Sequence, residues 1–183
     1  MDQEVLLGLL EKKIKDEDIL RLLREIVGSS PKGIPIGNLT SQLFANVYLN
    51  ELDHFVKREL KERYYLRYMD DFLVLHEDKR HLHEEKERIR LFLQDTLKLT
   101  LHPKKAEVFP IEKGIDFLGY VIRGNKRFLR KSTVKRIVKK RKRYAVLFRR
   151  GVMPEERIRN ALVSWRGYAK FADAYRLRKK LGL

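Results

Sequence analysis

The stretch Tyr64-Tyr65-Leu66-Arg67-Tyr68-Met69-Asp70-Asp71-Phe72-Leu73-Val74-Leu75-His76 decides how the chain is read. Its two halves are rich in aromatic and β-branched residues, which fit a pleated, half-buried surface, and they meet at two adjacent aspartates. The pattern predicts a β-hairpin with Asp70-Asp71 at its turn. Two-residue hairpin turns favour Asn-Gly or Asp-Gly, because their central positions want positive φ. Asp-Asp serves that geometry poorly and sets two like charges side by side, a repulsion that bound cations relieve. An isolated Asp-Asp pair is usually only a soluble surface turn, so its setting must decide.

Upstream, Val5-Leu6, Leu9-Leu10 and then Ile19, Leu22, Leu23 and Ile26 recur at helical spacing, predicting two short amphipathic helices that stop at Gly28-Ser29-Ser30-Pro31. A loop with Gly33, Pro35 and Gly37 follows. Asn38 or Thr40 is placed to cap a long helix carrying Leu43, Phe44, Val47, Tyr48, Leu52, Phe55 and Val56 and running to about Leu60. Most of that helix reads as packing, with function confined to its first turn. Downstream, Lys79 to Thr96 reads as a surface helix covering one side of a sheet. Strands are expected at Leu99–Leu101, Ala106–Phe109, Asp116–Ile122 and Lys126–Leu129. From Ser132 the character is all helix. There Val134, Ile137, Val138, Ala145 and Phe148 form an apolar stripe, and Lys135, Arg136, Lys139, Lys140, Lys142 and Arg143 face away. Gly151-Val152-Met153-Pro154 breaks that helix before two more. The whole is an α+β chain, an antiparallel sheet with helices on one side followed by a helical region.

Charge follows the same division. From Arg123 to Leu183, 22 Lys and Arg stand against three acids, a segment charge of +19 within a net +17, so the first 122 residues sum to −2. Clustered cations on one part of a molecule point to a polyanion, since Lys and Arg gain by releasing the counterions condensed on nucleic acid. A surface built only for solubility mixes the signs. With no Cys there is no disulfide framework or thiolate metal site, and no apolar run is long enough to span a bilayer. The N-terminus lacks the features of a secretory signal, which with the absence of Cys places the expected compartment in the cytoplasm and leaves membranes out of the expected partners.

Four phrases now fall in one order. Gly33-Ile34-Pro35-Ile36-Gly37-Asn38 with Ser41-Gln42, Asn46, Tyr48-Leu49 and Leu52-Asp53 resembles the loop and helix that reverse transcriptases of bacterial retroelements place beneath template and nucleotide. Tyr68-Met69-Asp70-Asp71 resembles their active-site hairpin, Leu101-His102-Pro103-Lys104-Lys105 their next motif, and Phe117-Leu118-Gly119-Tyr120 the hairpin that grips the primer. Arg159-Asn160-Ala161-Leu162 and Ser164-Trp165-Arg166-Gly167-Tyr168 are similar to the thumb of the same enzymes, those of diversity-generating retroelements, retrons and group II introns. The resemblance implies a partial polymerase palm over residues 1–130 and a basic, nucleic-acid-binding helical thumb over 131–183.

It also implies a chemistry: Mg²⁺-dependent transfer of a nucleotide from dNTP to a DNA or RNA primer 3′-hydroxyl on an RNA template, with two ions in the family site. By resemblance Asp70 is the direct metal ligand and Asp71 supports charge and geometry. Tyr68 and Met69 lie near primer end and nucleotide, Gln42 touches template or nucleotide, and Pro35, Ile36 and Gly37 shape the floor. Lys105 is the candidate for neutralising or protonating the leaving pyrophosphate, though Lys104 beside it blurs the alignment. His102 stands where relatives often carry Asn.

One element of the family pattern is not met. The aspartate that shares both ions precedes a phrase like Asp2-Gln3-Glu4-Val5-Leu6-Leu7, and Met1 falls inside the tail of that motif. The expectation is an N-terminally truncated enzyme without fingers, inactive alone or completed in trans by an N-terminal chain. A noncatalytic RNA- or DNA-binding module and a decayed retroelement remnant are the alternatives. Asp2 reads as a helix N-cap, not a replacement ligand. His81 and His83, two residues apart on a helix, do not share a face and read as no metal site. Trp165 reads as core.

Overall fold

The structure is a computed structural model describing residues 1–31, 33–35 and 39–181. It is α+β, and it divides into two compact units, Met1–Val108 and Phe109–Leu183.

The first unit opens with α1 (Gln3–Lys13) and α2 (Glu17–Gly28). Asp2 and Asp16 cap them as acceptors for the N–H groups of Val5 and Ile19, both at 3.0 Å, satisfying donors that a helix start leaves orphaned. Leu6, Leu9 and Leu10 of α1 are buried at the expected spacing. The expected stripe of α2 is rotated. Leu20 and Val27 are its buried residues, while Ile19 and Leu22 are exposed. α3 (Leu39–His54) runs on into a π-helical turn, Phe55–Glu59. Its Phe44, Tyr48 and Leu52, with Leu6, Val27, Val56 and Leu97, form the fully buried centre of the unit. Each such side chain contributes about 1.5–3 kcal/mol by leaving water. The Tyr48 hydroxyl accepts from the Asp2 N–H at 3.2 Å and donates to the Leu97 carbonyl at 2.5 Å, so the one polar atom at the centre is satisfied.

Strands β1 (Tyr64–Tyr68) and β2 (Asp71–Leu75) form an antiparallel hairpin, and α4 (Lys79–Asp95) follows. Alternation sorts the hairpin's faces. Tyr65, Phe72 and Val74 pack on the core, while Tyr64, Leu66, Tyr68 and Leu75 are exposed. Among the described residues β1 and β2 pair only with each other, so both outer edges are unpaired. Ile89 and Leu93 of α4 are buried, and Phe92 stacks on Phe55 with ring centroids 4.2 Å apart.

No strand forms at 99–101 or 106–109. Leu99 instead donates its N–H to the Leu93 carbonyl at the end of α4, and Leu99 and Leu101 pack singly on the core. Their alternation satisfied burial without a strand partner.

In the second unit the single strand expected at 116–122 is two: β3 (Ile115–Phe117) and β4 (Tyr120–Arg123), followed by β5 (Lys126–Leu129), all antiparallel. The break lies at Leu118-Gly119, which both have positive φ (51° and 86°), as a two-residue type I′ turn requires. Helices α5 (Lys131–Arg149), α6 (Glu155–Lys170) and α7 (Tyr175–Lys180) complete the unit. Leu129 is buried with Ala169, Ala172 and Ala174, against Tyr120, Val134, Trp165, Tyr168 and Leu177. This packing joins the three-stranded sheet to the helices within the second unit. Trp165 is a packing residue, as expected. Of the α5 stripe, Ile137 is buried and Val134 and Val138 half-buried, but Ala145 and Phe148 are exposed. Arg141, Tyr144 and Leu147 are the half-buried residues of the later turns, and Arg141 donates to the Leu181 carbonyl.

Candidate active site

The hairpin turn lies one residue earlier than the sequence suggests. Tyr68 pairs with Asp71, so the two central residues are Met69 and Asp70, and Asp71 opens β2. Met69 carries the strain, at φ +55°, in a region that non-glycine side chains occupy rarely. Positive φ at the first central position alone is the type II′ pattern. Asp70 stands at the tip and Asp71 beside it, both exposed, and neither carboxylate engages another side chain among the described residues.

What holds this turn is an ion pair behind it. Arg67 lies on the core-facing side of β1 and donates from Nε and Nη2 to the two oxygens of Asp53, at 2.7 and 2.6 Å. Its third nitrogen, Nη1, donates to the carbonyl of Met69 at 2.9 Å and to Asn46 Oδ1 at 3.2 Å. Asn46 Nδ2 lies 3.7 Å from the Met69 sulfur. The Tyr65 hydroxyl donates to Asp53 at 2.7 Å. One planar guanidinium thus grips α3 on one side and the strained peptide on the other, a geometry a lysine does not reproduce.

The electrostatics follow. Burial pushes the Asp53 carboxyl upward, but hydrogen bonds from Arg67 and Tyr65 outweigh it and hold the group below its ordinary value. The bond to Asp53 raises Arg67, and burial followed by the same carboxylate raises Tyr65. The pair is charged throughout the physiological range.

Sequence reasoning confined function in α3 to its first turn. Gln42 is exposed there, one helical turn before Asn46, but Asn46 and Asp53 are the residues that reach the hairpin. The available signal was Arg67 itself, a cation at the inward position of a half-buried strand, which demands an acid. Pro35 is half-buried and its carbonyl accepts from the Ser41 hydroxyl, tying the preceding loop to the start of α3. The Gln3 side-chain nitrogen reaches the carbonyls of Val27, Ser30 and Gly33 at 2.8–3.0 Å and fixes the same loop from the other side. Ile36 and Gly37 lie outside the described residues. Lys105 is exposed in a tight turn in which its own N–H and that of Ala106 donate to the His102 carbonyl.

In the second unit, Leu118 and Gly119 form the tip of the β3–β4 hairpin, with Phe117 buried and Leu118 exposed. Tyr120 stacks on Tyr168 at 4.9 Å between centroids, its hydroxyl donates to the Tyr168 carbonyl, and the Tyr168 hydroxyl donates to the Gly119 carbonyl, both at 3.0 Å. A Cβ on Gly119 would meet that hydroxyl oxygen at 2.4 Å. Lys135, Arg136, Lys139, Lys140, Lys142 and Arg143 are all exposed along α5.

Comparison with known proteins agrees in kind. The sequence pattern of the family described as reverse transcriptase (RNA-dependent DNA polymerase) matches residues 24–122, more than half of the chain. Protein YkfC of Escherichia coli (strain K12) is 23% identical over 202 residues, covering 87% of this chain and 49% of that protein. The group II intron-encoded protein LtrA of Lactococcus lactis subsp. cremoris is 26% identical over 215 residues, covering 78% of this chain and 35% of that protein. The chain therefore spans no more than about half the length of these relatives.

Proposed function

Because this chain belongs to the reverse transcriptase family, we propose that it supplies the catalytic hairpin and the thumb of an RNA-directed DNA polymerase. The observation that carries this reading is the strained Met69-Asp70 turn, which presents two unengaged carboxylates at an exposed tip while the Arg67–Asp53 pair fixes the backbone behind them. Strain of this kind persists where surrounding structure over-determines it, commonly at functional sites.

Asp70 and Asp71 fit Mg²⁺ by donor chemistry: hard carboxylate oxygens, paired with no cation among the described residues, of the kind that hold the ion alongside substrate phosphates and water. When bound, two such ions neutralise charge on the attacking and leaving oxygens of phosphoryl transfer. Asp70 is the proposed direct ligand and Asp71 its electrostatic support. Tyr68 and Met69 flank the primer end and nucleotide, Gln42 meets the template or nucleotide, and Pro35, Ile36 and Gly37 form the floor. Lys105 neutralises or protonates departing pyrophosphate. Phe117, Leu118, Gly119 and Tyr120 grip the primer, and Lys135, Arg136, Lys139, Lys140, Lys142 and Arg143 hold the phosphates of the RNA template and its DNA or RNA primer.

Among the described residues no third ligating side chain joins Asp70 and Asp71; the only trio of metal-ligating groups close enough to share an ion lies elsewhere. We infer that catalysis needs a carboxylate from outside these 183 residues, brought by the same polypeptide or by a complementing N-terminal chain. The same observation favours a second reading, a noncatalytic nucleic-acid-binding module. The test is paired binding and extension assays on an RNA template with a DNA primer. Binding is expected to weaken steeply with salt, by about 0.9 in logarithmic slope per phosphate neutralised, with no Mg²⁺-dependent extension by the 183 residues alone. Robust extension abolished by Asp70→Asn would show that the site is complete as it stands. Binding indifferent to Mg²⁺ and to Asp70→Asn favours the module.

A further inference from the structure

At the base of the same hairpin, opposite its tip, lies a second cluster. Glu62 precedes β1, and His81 and Glu85 stand four residues apart on α4, where i and i+4 share a face. His81 Nε2 is 2.6 Å from Glu62 Oε1, and one ligand atom from each of the three residues lies within 4.8 Å of the others. Both glutamates are nearly sealed from water, at 4% and 5% exposure. Arg88 donates to Glu85 Oε1 at 2.8 Å, yet Glu85 Oε2 is buried with no hydrogen-bond partner among the described residues. Two buried carboxylates side by side, one with an orphaned oxygen, are costly unless a cation answers them.

We propose that Glu62, His81 and Glu85 form a Zn²⁺ site that fastens α4 to the turn before β1. The donor set decides the metal. One imidazole nitrogen with two carboxylate oxygens suits Zn²⁺ with water in the fourth position, whereas Mg²⁺ seeks oxygen alone. Donors around one such ion at about 2.0–2.2 Å stand about 3.3 Å apart, so side-chain adjustment within the present spread closes the site. With Arg88 already on Glu85, the two carboxylates and a neutral imidazole carry −1, and the ion answers the Glu62 charge together with the orphaned Glu85 oxygen.

The backbone is prepared for the role. The π-helical turn at Phe55–Glu59 and the left-handed Lys61 (φ +58°) reverse the chain so that Glu62 points inward. Lys57 holds the carbonyls of Glu62 and Arg63 at 2.7 and 3.2 Å. β1 and β2 are five residues each, which separates the cluster from Asp70 by about 15 Å, so this is not a polymerase ion site. The His76 ring lies beside that of His81, tilted at 36° with centroids 4.1 Å apart.

The test uses the untagged full chain, stripped with a chelator and titrated with Co²⁺ and Zn²⁺. One Co²⁺ per chain is expected, with the visible absorption of a low-symmetry four- or five-coordinate N/O site, displaced by Zn²⁺. Zn²⁺ at about 100 times its dissociation constant should raise the thermal midpoint by about 5–10 °C. His81→Gln and Glu85→Gln should weaken uptake more than about 100-fold, beyond the effect of outer-shell changes. His83→Gln and the Asp70→Asn/Asp71→Asn pair should leave it unchanged. Circular dichroism of each variant separates loss of ligand from loss of fold, and Glu85→Gln serves if His81→Gln does not fold. No equimolar uptake, or uptake that survives both His81→Gln and Glu85→Gln in folded protein, overturns the proposal in favour of an ion pair only.

Discussion

The chain carries two tight hairpins bearing family motifs, and they solve the same backbone problem differently. At Leu118-Gly119 both central residues take positive φ, glycine bears the tighter position, and packing locks it, since the Tyr168 hydroxyl fills the space where a Cβ would stand. At Met69-Asp70 a non-glycine residue takes positive φ, and the lock is an ion pair, Arg67 bridging Asp53 to the Met69 carbonyl. A packed turn is stabilised wherever the fold is intact. A clamped turn depends on a few directed bonds, which place Asp70 at a defined height while leaving its carboxylate free.

The largest expected effect breaks the clamp. Arg67→Ala leaves Asp53 without its bidentate partner in a largely covered setting and should cost about 3 kcal/mol in urea unfolding. Arg67→Lys should recover less than half, because a point charge cannot span Asp53 and Met69 together. Full recovery by lysine would mean that charge alone, not the fork, holds the turn.

Next comes the packed turn. Gly119→Ala adds a left-handed penalty to a collision at 2.4 Å, for an expected loss of about 2 kcal/mol. Tyr168→Phe in the same background should return part of that loss, a coupling measurable by a double-mutant cycle. Additive effects would show that the hydroxyl is not the obstacle.

The smallest effect should have the opposite sign. Met69→Gly relieves positive φ at the position where type II′ turns favour glycine, and should stabilise the chain by up to about 1 kcal/mol. If it destabilises instead, the Met69 side chain against Asn46 contributes more than its backbone strain costs.

The comparison also shows where sequence patterns succeed. Aromatic and β-branched enrichment on both sides of Asp70-Asp71 exposed the hairpin, and helical spacing with the Asp2 cap exposed α1, because burial of one face favours those residues and that period. The turn itself was misplaced by one residue. Asp-Asp attracted the reading as a pair, whereas pairing of Tyr68 with Asp71 puts Met69 in the strained position, a choice made by register and by Arg67. Leu99 and Leu101 alternate like a strand but pack singly, since local pattern cannot reveal whether a partner strand exists. Long-range polar partners were the least legible. Asp53 with Arg67, and Glu62 with His81 and Glu85, join separate elements, and weighing His81 only against His83 missed the residue one helical turn away. Of the residues assigned to the polymerase site, the structure joins Tyr68, Met69, Asp70 and Asp71 on one turn with Asn46 behind it.

The most direct test of the account is to locate a metal at that turn. With primer–template and dNTP present and the Glu62–His81–Glu85 cluster saturated with Zn²⁺, Fe²⁺ with ascorbate and peroxide generates radicals that cut the backbone beside the bound ion. Cleavage is expected within residues 68–72, suppressed by excess Mg²⁺ and lost in Asp70→Asn. Cleavage absent from the hairpin, or unchanged in Asp70→Asn, would contradict the assignment of Asp70 as the metal-holding carboxylate.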